Sequence, residues 1–82
     1  MDAKTHAMND AKIEKVVALV AKALEISPEE LGPDSSMQNV PLWDSVEHMT
    51  VCLLFEQQFG TTLDMDAITT ATSIRALAAL VP

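Results

Sequence analysis

The strongest constraint on the fold is an apolar pattern of helical period near the start of the chain. Its members follow the i, i+3, i+4, i+7, i+11 spacing of one helix face: Ile13, Val16, Val17, Val20 and Leu24. Residues 1–8 show no such period, so we predict a flexible tail over 1–8, a single domain over 9–82, and Asn9 or Asp10 as the helix N-cap. Only 2 glycines, no tyrosine and 49% hydrophobic residues favour an all-α bundle over a β-sandwich or a barrel.

A second main helix is predicted from Ser45 to Phe59. Asp44 or Ser45 caps it, and Gly60 can adopt the left-handed conformation that ends it. Its apolar residues form two stripes, with Val46, Met49 and Leu53 on one and Val51, Phe55 and Phe59 on the other. Two apolar stripes predict a central helix that the rest of the bundle covers on several sides.

A capping box and a long loop connect these two helices. Ser27 and Glu30 can cap each other around Pro28, and Gly32-Pro33 limits the segment that they open to a single turn. Residues 31–42 are dense in turn formers, so we predict a loop there. Its predicted apolar anchors are Leu31, Met37, Val40 and Leu42.

The C-terminal part of the chain contains two further helical segments. Asp64 can cap a short one through Ile68, and Thr72 or Ser73 can cap a last helix. The residues that share one face of this last helix are Ile74, Leu77, Ala78 and Val81.

The charge balance limits the partners. The 12 acidic and 5 basic side chains give a formal net charge of -7, which opposes binding to nucleic acid or an anionic membrane and favours basic protein surfaces. The single cysteine, Cys52, lies in an apolar run, which predicts a buried free thiol in a reducing cytoplasm. The apolar stretch 16–21 is shorter than the ~20 residues of a membrane span, and no signal peptide is indicated. We therefore expect a soluble cytoplasmic monomer.

Ser45 has the most distinctive position of any polar residue in the chain. A hydroxyl at the start of a helix lies near unpaired N–H groups and the positive end of the helix dipole, and both favour a phosphate there. Asp44 adds an acceptor that suits a divalent cation beside an incoming pyrophosphate. The same residues also suit plain capping without modification, and their spacing alone favours that interpretation.

Four separate segments occur together in this chain: Ile26-Ser27-Pro28-Glu29-Glu30-Leu31, Asp44-Ser45-Val46, Phe55-Glu56-Gln57-Gln58-Phe59-Gly60 and Thr72-Ser73-Ile74-Arg75-Ala76-Leu77. From about Ile13 to Val81, the combination resembles the acyl carrier protein family. The resemblance implies a four-helix bundle with three longer helices and one short third helix. It also implies that Ser45 carries 4'-phosphopantetheine, donated by coenzyme A and attached by a magnesium-dependent phosphopantetheinyl transferase.

A carrier of this kind is not an enzyme. Its arm supplies the thiol that holds an acyl or aminoacyl group as a thioester, so no side chain of the chain has to act as an acid or a base. The implied partners are loading ligases and downstream synthases or transferases of fatty acid, polyketide or a specialised pathway. Peptidyl, aminoacyl and D-alanyl carriers are alternatives within the class.

Departures from the family pattern bear on the partners. Val46 replaces the usual leucine, while Thr50, Gln57 and Gln58 stand where the second helix is expected to carry carboxylates. The segment Trp43-Asp44-Ser45 is similar to specialised stand-alone carriers, including D-alanyl carriers. We therefore expect a dedicated partner set, bound through Trp43, Val46, Glu47, His48, Met49 and Glu56.

The location of an acyl chain and the role of Trp43 each have two interpretations. A fatty cargo would lie among Met49, Leu53, Leu54 and Phe55, unless the core is filled. Trp43 either covers the end of the bundle or contacts a partner.

Other functions are also compatible with parts of the sequence. His48 is expected on the surface beside the arm, and a hydrolase triad with Ser45 and Asp44 is disfavoured, because positions this close on one helix cannot aim base and orienter together. Asp64 and Asp66 indicate calcium only weakly, so we predict capping roles and no metal. An unmodified acidic helical module, with Ser45 as a plain cap, is the rival from another class.

Overall fold

A computed structural model describes the backbone of residues 3–82 and the side chains of residues 11–82. This part of the chain forms the α-helices α1 (Ala3–Leu24), α2 (Ser45–Phe59), α3 (Met65–Thr70) and α4 (Ile74–Ala78), with a 3-10 turn at Pro28–Glu30. The predicted all-α, four-helix fold is confirmed. None of these helices combines the length and the apolar character of a membrane span.

Helix α1 begins earlier than predicted. It starts at Ala3, so the predicted N-cap at Asn9 or Asp10 is wrong. Residues 3–12 include several alanines and lysines and neither glycine nor proline, so nothing in this segment stops the helix from extending towards the N-terminus. Met1 and Asp2 lie outside the described residues, and the division into a tail over 1–8 and a domain over 9–82 stays a prediction.

The N-cap and C-cap of α2 and the capping box at Ser27 follow the predictions. Asp44 caps α2, and Gly60 ends it with φ 62°, a left-handed conformation that glycine adopts without steric cost. The Ser27 hydroxyl accepts from the Glu29 N–H and the Glu30 carboxylate accepts from the Ser27 N–H, each at 3.3 Å. The local polar pattern therefore sets where α2 begins and ends along the chain.

The core is built around α1, which packs against both α2 and α4. The side chains buried completely in it are Val16, Val20, Trp43, Val51, Phe55, Ile74 and Leu77. Trp43 thus covers the end of the bundle, which was one of its two interpretations. Its burial holds the segment before Ser45 against the core.

The prediction that α2 is covered on several sides is wrong. The stripe of Val51, Phe55 and Phe59 packs inward, but the exposed fractions of Val46, Met49 and Leu53 are 74%, 50% and 56%. Helices α3 and α4 are short, with 6 and 5 residues, and α2 packs chiefly against α1. A chain of this length therefore leaves one apolar side of α2 in solvent.

The two short helices have the predicted caps and different lengths. Asp64 accepts from the Ala67 N–H at 2.8 Å, and Ser73 accepts from the Ala76 N–H at 3.1 Å. Helix α3 continues two residues past the predicted Ile68 to Thr70. Helix α4 ends at Ala78, shorter than the expected third long helix, because the following turns use i→i+3 bonds such as Leu80 N–H to Leu77 O (2.9 Å).

The long loop is tied to the connection between α3 and α4. Met37 N–H donates to Thr72 O at 3.0 Å, and Ile74 N–H donates to Ser35 O at 2.9 Å. Of the predicted apolar anchors, Leu31 is buried and Met37 and Val40 are half-buried, but Leu42 is exposed. Leu42 was therefore wrong as an anchor, since the backbone bonds already fix the loop upstream of it.

Candidate functional site

Ser45 is the first residue of α2, and its side chain is exposed. Asp44 fills the capping position before it, with Oδ1 accepting from the Glu47 N–H at 2.9 Å. The Ser45 hydroxyl is therefore not needed to cap the helix. It stands in solvent at the positive end of a 15-residue helix, where an anionic group is favoured.

The other serine hydroxyls are engaged in local structure. Those of Ser27, Ser35, Ser36 and Ser73 each accept a nearby backbone N–H at distances of 2.9 to 3.3 Å. Across residues 11–82, Ser45 is the serine whose hydroxyl has no such bond. This difference distinguishes Ser45 from the other serines of residues 11–82 as the one whose hydroxyl is open to modification.

Trp43 and His48 lie on either side of Ser45 in sequence and contact each other. Trp43 directly precedes the N-cap and His48 is the fourth residue of the helix, the two positions that form a hydrophobic staple. Here the staple also has a hydrogen bond, in which Trp43 Nε1–H donates to His48 Nδ1 at 3.1 Å. This pair is not among the sequence-based predictions, although the staple spacing around Asp44 could have indicated it.

His48 and Trp43 do not lie on the surface. Their exposed fractions are 5% and 1%, so the prediction of both as partner-contacting residues is wrong, as is the placement of His48 beside the arm. The second ring nitrogen of His48, Nε2, lies 2.8 Å from the Ile68 carbonyl of α3. Because Trp43 and Ile68 occupy both ring nitrogens, His48 is not available as a base for Ser45, and the geometry opposes a hydrolase triad.

The remaining predicted contact residues differ in exposure. Val46 and Met49 project into solvent, and together with Leu53 they form a surface that we call the apolar stripe. Glu47 is half-buried. Glu56 is also half-buried, and its carboxylate accepts from the Leu63 N–H at 2.7 Å, which fixes the loop between α2 and α3.

Cys52 is a buried free thiol, as predicted. Burial and, secondarily, the carboxylate of Glu56 raise the pKa of this thiol above its ordinary value. The thiol therefore stays protonated at neutral pH and is a weak nucleophile.

We expect Cys52 to react slowly with iodoacetamide at pH 7 in the folded protein and fast after unfolding, because both burial and the raised pKa oppose thiolate formation. Mass spectrometry of timed aliquots measures the two rates. Equal rates with and without denaturant would contradict the burial of this side chain.

The residues suggested for a cargo pocket do not enclose one in the described part of the chain. Phe55 fills the core, and Met49 and Leu53 are exposed. Leu54 lines an open surface depression of about 200 Å³ with Leu19, Lys22, Gln57 and Gln58. Of the two interpretations, the filled core describes this structure.

The acidic residues at the start of α3 have ordinary roles. Asp64 caps the helix, and Asp66 lies in its first turn. Within residues 11–82, no group of three or more His, Cys, Asp and Glu side chains is close enough to hold a metal ion.

A protein-family model described as "phosphopantetheine attachment site" matches residues 14–81. The match begins within α1 and ends after α4, and Ser45 with its helix lies inside it.

Proposed function

Because this chain belongs to the phosphopantetheine-attachment family of acyl-carrier-type proteins, we propose that Ser45 is the residue that carries its prosthetic group. Members of the family are non-catalytic carriers with covalent 4'-phosphopantetheine, attached by a phosphopantetheinyl transferase, and they interact with partner enzymes. The chain is therefore a carrier protein. We propose the residue that carries the group, the partners of the carrier and its cargo.

The observation that supports Ser45 most directly is the state of its hydroxyl. It is exposed at the start of α2, while Asp44 takes over the capping bond. A phosphodiester there would lie beside the first backbone N–H groups of the helix, which stabilise negative charge. The residues present therefore fit the group.

The roles of the chain's own residues are to hold and orient. Asp44 fixes the first turn of α2, and we propose that its carboxylate also helps to place a cation of the transferase near the incoming pyrophosphate. When bound, the prosthetic group supplies a flexible arm with a terminal thiol for the carried acyl group. The buried Cys52 takes no part, because its thiol is inaccessible and protonated.

Intact mass and peptide mapping test the assignment. Incubation with coenzyme A, Mg²⁺ and a broad-specificity phosphopantetheinyl transferase is expected to add one phosphopantetheine, found on the peptide that contains Ser45. A wild-type protein that gains no mass, or a modification mapped to another residue, would contradict the proposal.

We also propose that partner enzymes bind the apolar stripe together with Glu47 and Glu56. The stripe is the exposed apolar part of the helix that begins with Ser45. Thr50, Gln57 and Gln58 are exposed on the same helix and uncharged. These features support a partner whose docking face is apolar at its centre, and a specialised pathway for an acyl or aminoacyl cargo.

Val46→Ser and Met49→Ser are each expected to lower kcat/KM for loading, meaning the transfer of phosphopantetheine from coenzyme A to the protein by the transferase. The expected decrease is about fivefold to thirtyfold, since removing a central apolar contact costs about 1–2 kcal/mol of binding. Both side chains are exposed, so the melting temperature should change little. Steady-state kinetics at two salt concentrations measure the effect, and the fold-change is expected to be similar at both because an apolar contact is not screened.

Leu80→Ser is the matched control, because Leu80 is another exposed apolar side chain but lies after α4. It should load like the wild type. Equal losses in all three variants would point to general hydrophobicity and against the apolar stripe as the docking surface.

A further inference from the structure

We propose that His48 is a positioning residue for loading, because it ties the turn that carries Ser45 to the end of α3. The inference rests on the proposed attachment at Ser45. In this arrangement the buried imidazole of His48 holds the exposed hydroxyl of Ser45 in a fixed position.

The first link joins His48 to the segment before α2. Trp43 is buried, its Nε1–H donates to His48 Nδ1 at 3.1 Å, and the two ring centroids are 6.0 Å apart. Asp44 and Ser45 lie between these two residues in sequence. A bond across this interval fixes the angle at which the chain enters the helix, and with it the direction of the Ser45 side chain.

The second link joins His48 to α3. The Thr72 N–H, which would bond the Ile68 carbonyl if α3 continued, donates instead to Thr70 O at 3.0 Å. The Ile68 carbonyl therefore lacks its helical partner, and His48 Nε2 lies 2.8 Å from it. A side chain from α2 thus caps the end of α3.

The two links together define one state of the ring. An indole N–H can only donate and a carbonyl can only accept, so Nδ1 must be unprotonated and Nε2 must carry the hydrogen. Cys52 Sγ lies 3.6 Å from the same Nε2. Every polar atom of the ring is satisfied in this neutral form, which makes the arrangement rigid as well as buried.

This arrangement matters for loading because a transferase must bring a phosphate of coenzyme A into line with a single hydroxyl. A displacement of about 1 Å at a reacting group can cost as much as about 100-fold in rate. Loosening either link should therefore slow loading while leaving Ser45 itself present and exposed.

Three substitutions separate the links. In His48→Gln the amide nitrogen can replace Nε2, so the bond to Ile68 is retained and the bond to Trp43 is lost. In His48→Asn the amide oxygen can replace Nδ1, which retains the bond to Trp43 and loses the bond to Ile68. Trp43→Phe removes the indole donor and keeps an aromatic ring.

Each substitution is expected to lower kcat/KM of loading about tenfold at a temperature where all variants are folded. Trp43→Phe and His48→Gln break the same bond, so their double variant should be no slower than His48→Gln alone. The indole N–H signal in proton–nitrogen NMR reports the bond without any loading reaction. It should shift in His48→Gln and stay in place in His48→Asn.

Val20→Ala is the control for stability, because Val20 is a buried residue of α1 outside the linked residues. It should lower the melting temperature but leave kcat/KM near the wild-type value. The inference is overturned if Val20→Ala slows loading as much as His48→Gln, or if His48→Gln shifts the indole signal and still loads at the wild-type rate. A wild type that takes up no phosphopantetheine would instead overturn the proposed attachment, while the indole signal would still report the bond.

Discussion

Ser45→Ala is expected to take up no phosphopantetheine and to fold like the wild type. The loss should be complete, because the side chain that forms the ester is gone and the other serine hydroxyls bond to neighbouring backbone. The fold should be unaffected, because the capping bond of α2 belongs to Asp44. Alanine is a good helix former, so the free energy of unfolding should change by less than about 0.5 kcal/mol.

Intact mass after incubation with coenzyme A and the transferase measures uptake, and circular dichroism with thermal melting measures the fold. Ser36→Ala is the matched control, since it removes a loop hydroxyl and keeps Ser45. It should load fully. An adduct on Ser45→Ala would exclude Ser45 as the sole attachment residue, and a collapse of its helicity would show that the hydroxyl has a structural role.

This prediction separates the carrier assignment from its rival. An unmodified acidic module would use Ser45 as a cap. The alanine variant would then lose about 1 kcal/mol in its free energy of unfolding, and neither it nor the wild type would take up phosphopantetheine. The structure gives the capping bond to Asp44, so the two interpretations differ in both measurements.

The parts of the fold that sequence alone predicted are those that local chemistry controls. The caps by Asp44, Asp64 and Ser73 and the left-handed Gly60 follow from short-range hydrogen bonds and steric preference. The inward stripe of α2 follows from periodicity. These features need no knowledge of how the helices pack.

The wrong predictions concern side chains whose exposure depends on packing between elements that are distant in sequence. An apolar stripe on a helix does not show whether another element covers it, and the short α3 and α4 leave Val46, Met49 and Leu53 exposed. In the same way, the position of His48 three residues after Ser45 suggests a surface residue. The fold places the carbonyl of Ile68, 20 residues further along the chain, next to its ring. The error at the start of α1 has a local reason, because residues 3–12 favour a helix by propensity although they show no apolar period.

One part of the candidate site could therefore be predicted from the sequence, and another part could not. The exposed hydroxyl and its cap could be derived from the Asp-Ser pair at the head of an apolar helix. The buried support beneath it, formed by Trp43 and His48, depends on contacts between distant elements. Their burial places both residues in the core and not on the expected docking surface, and leaves the apolar stripe as the exposed apolar part of α2.

Phe55→Ala is expected to be the most destabilising of the single substitutions considered. The ring is 0% exposed, and its centroid lies 4.7 Å from that of Phe59. Truncating a buried phenylalanine costs about 3–5 kcal/mol through lost burial and the cavity that remains. At about 0.05–0.15 kcal/mol per residue, a chain of 82 residues is stable by about 4–12 kcal/mol, so this loss removes a large part of its stability.

Urea denaturation followed by circular dichroism measures the change, with the m-value as a check that the same surface unfolds. Leu53→Ala is the matched control, because it lies on the same helix two residues earlier with a side chain that is 56% exposed. It should change the free energy of unfolding by only about 0.5 kcal/mol. Similar losses in the two variants would mean that both sides of α2 are packed, and the apolar stripe would then no longer be free for a partner enzyme.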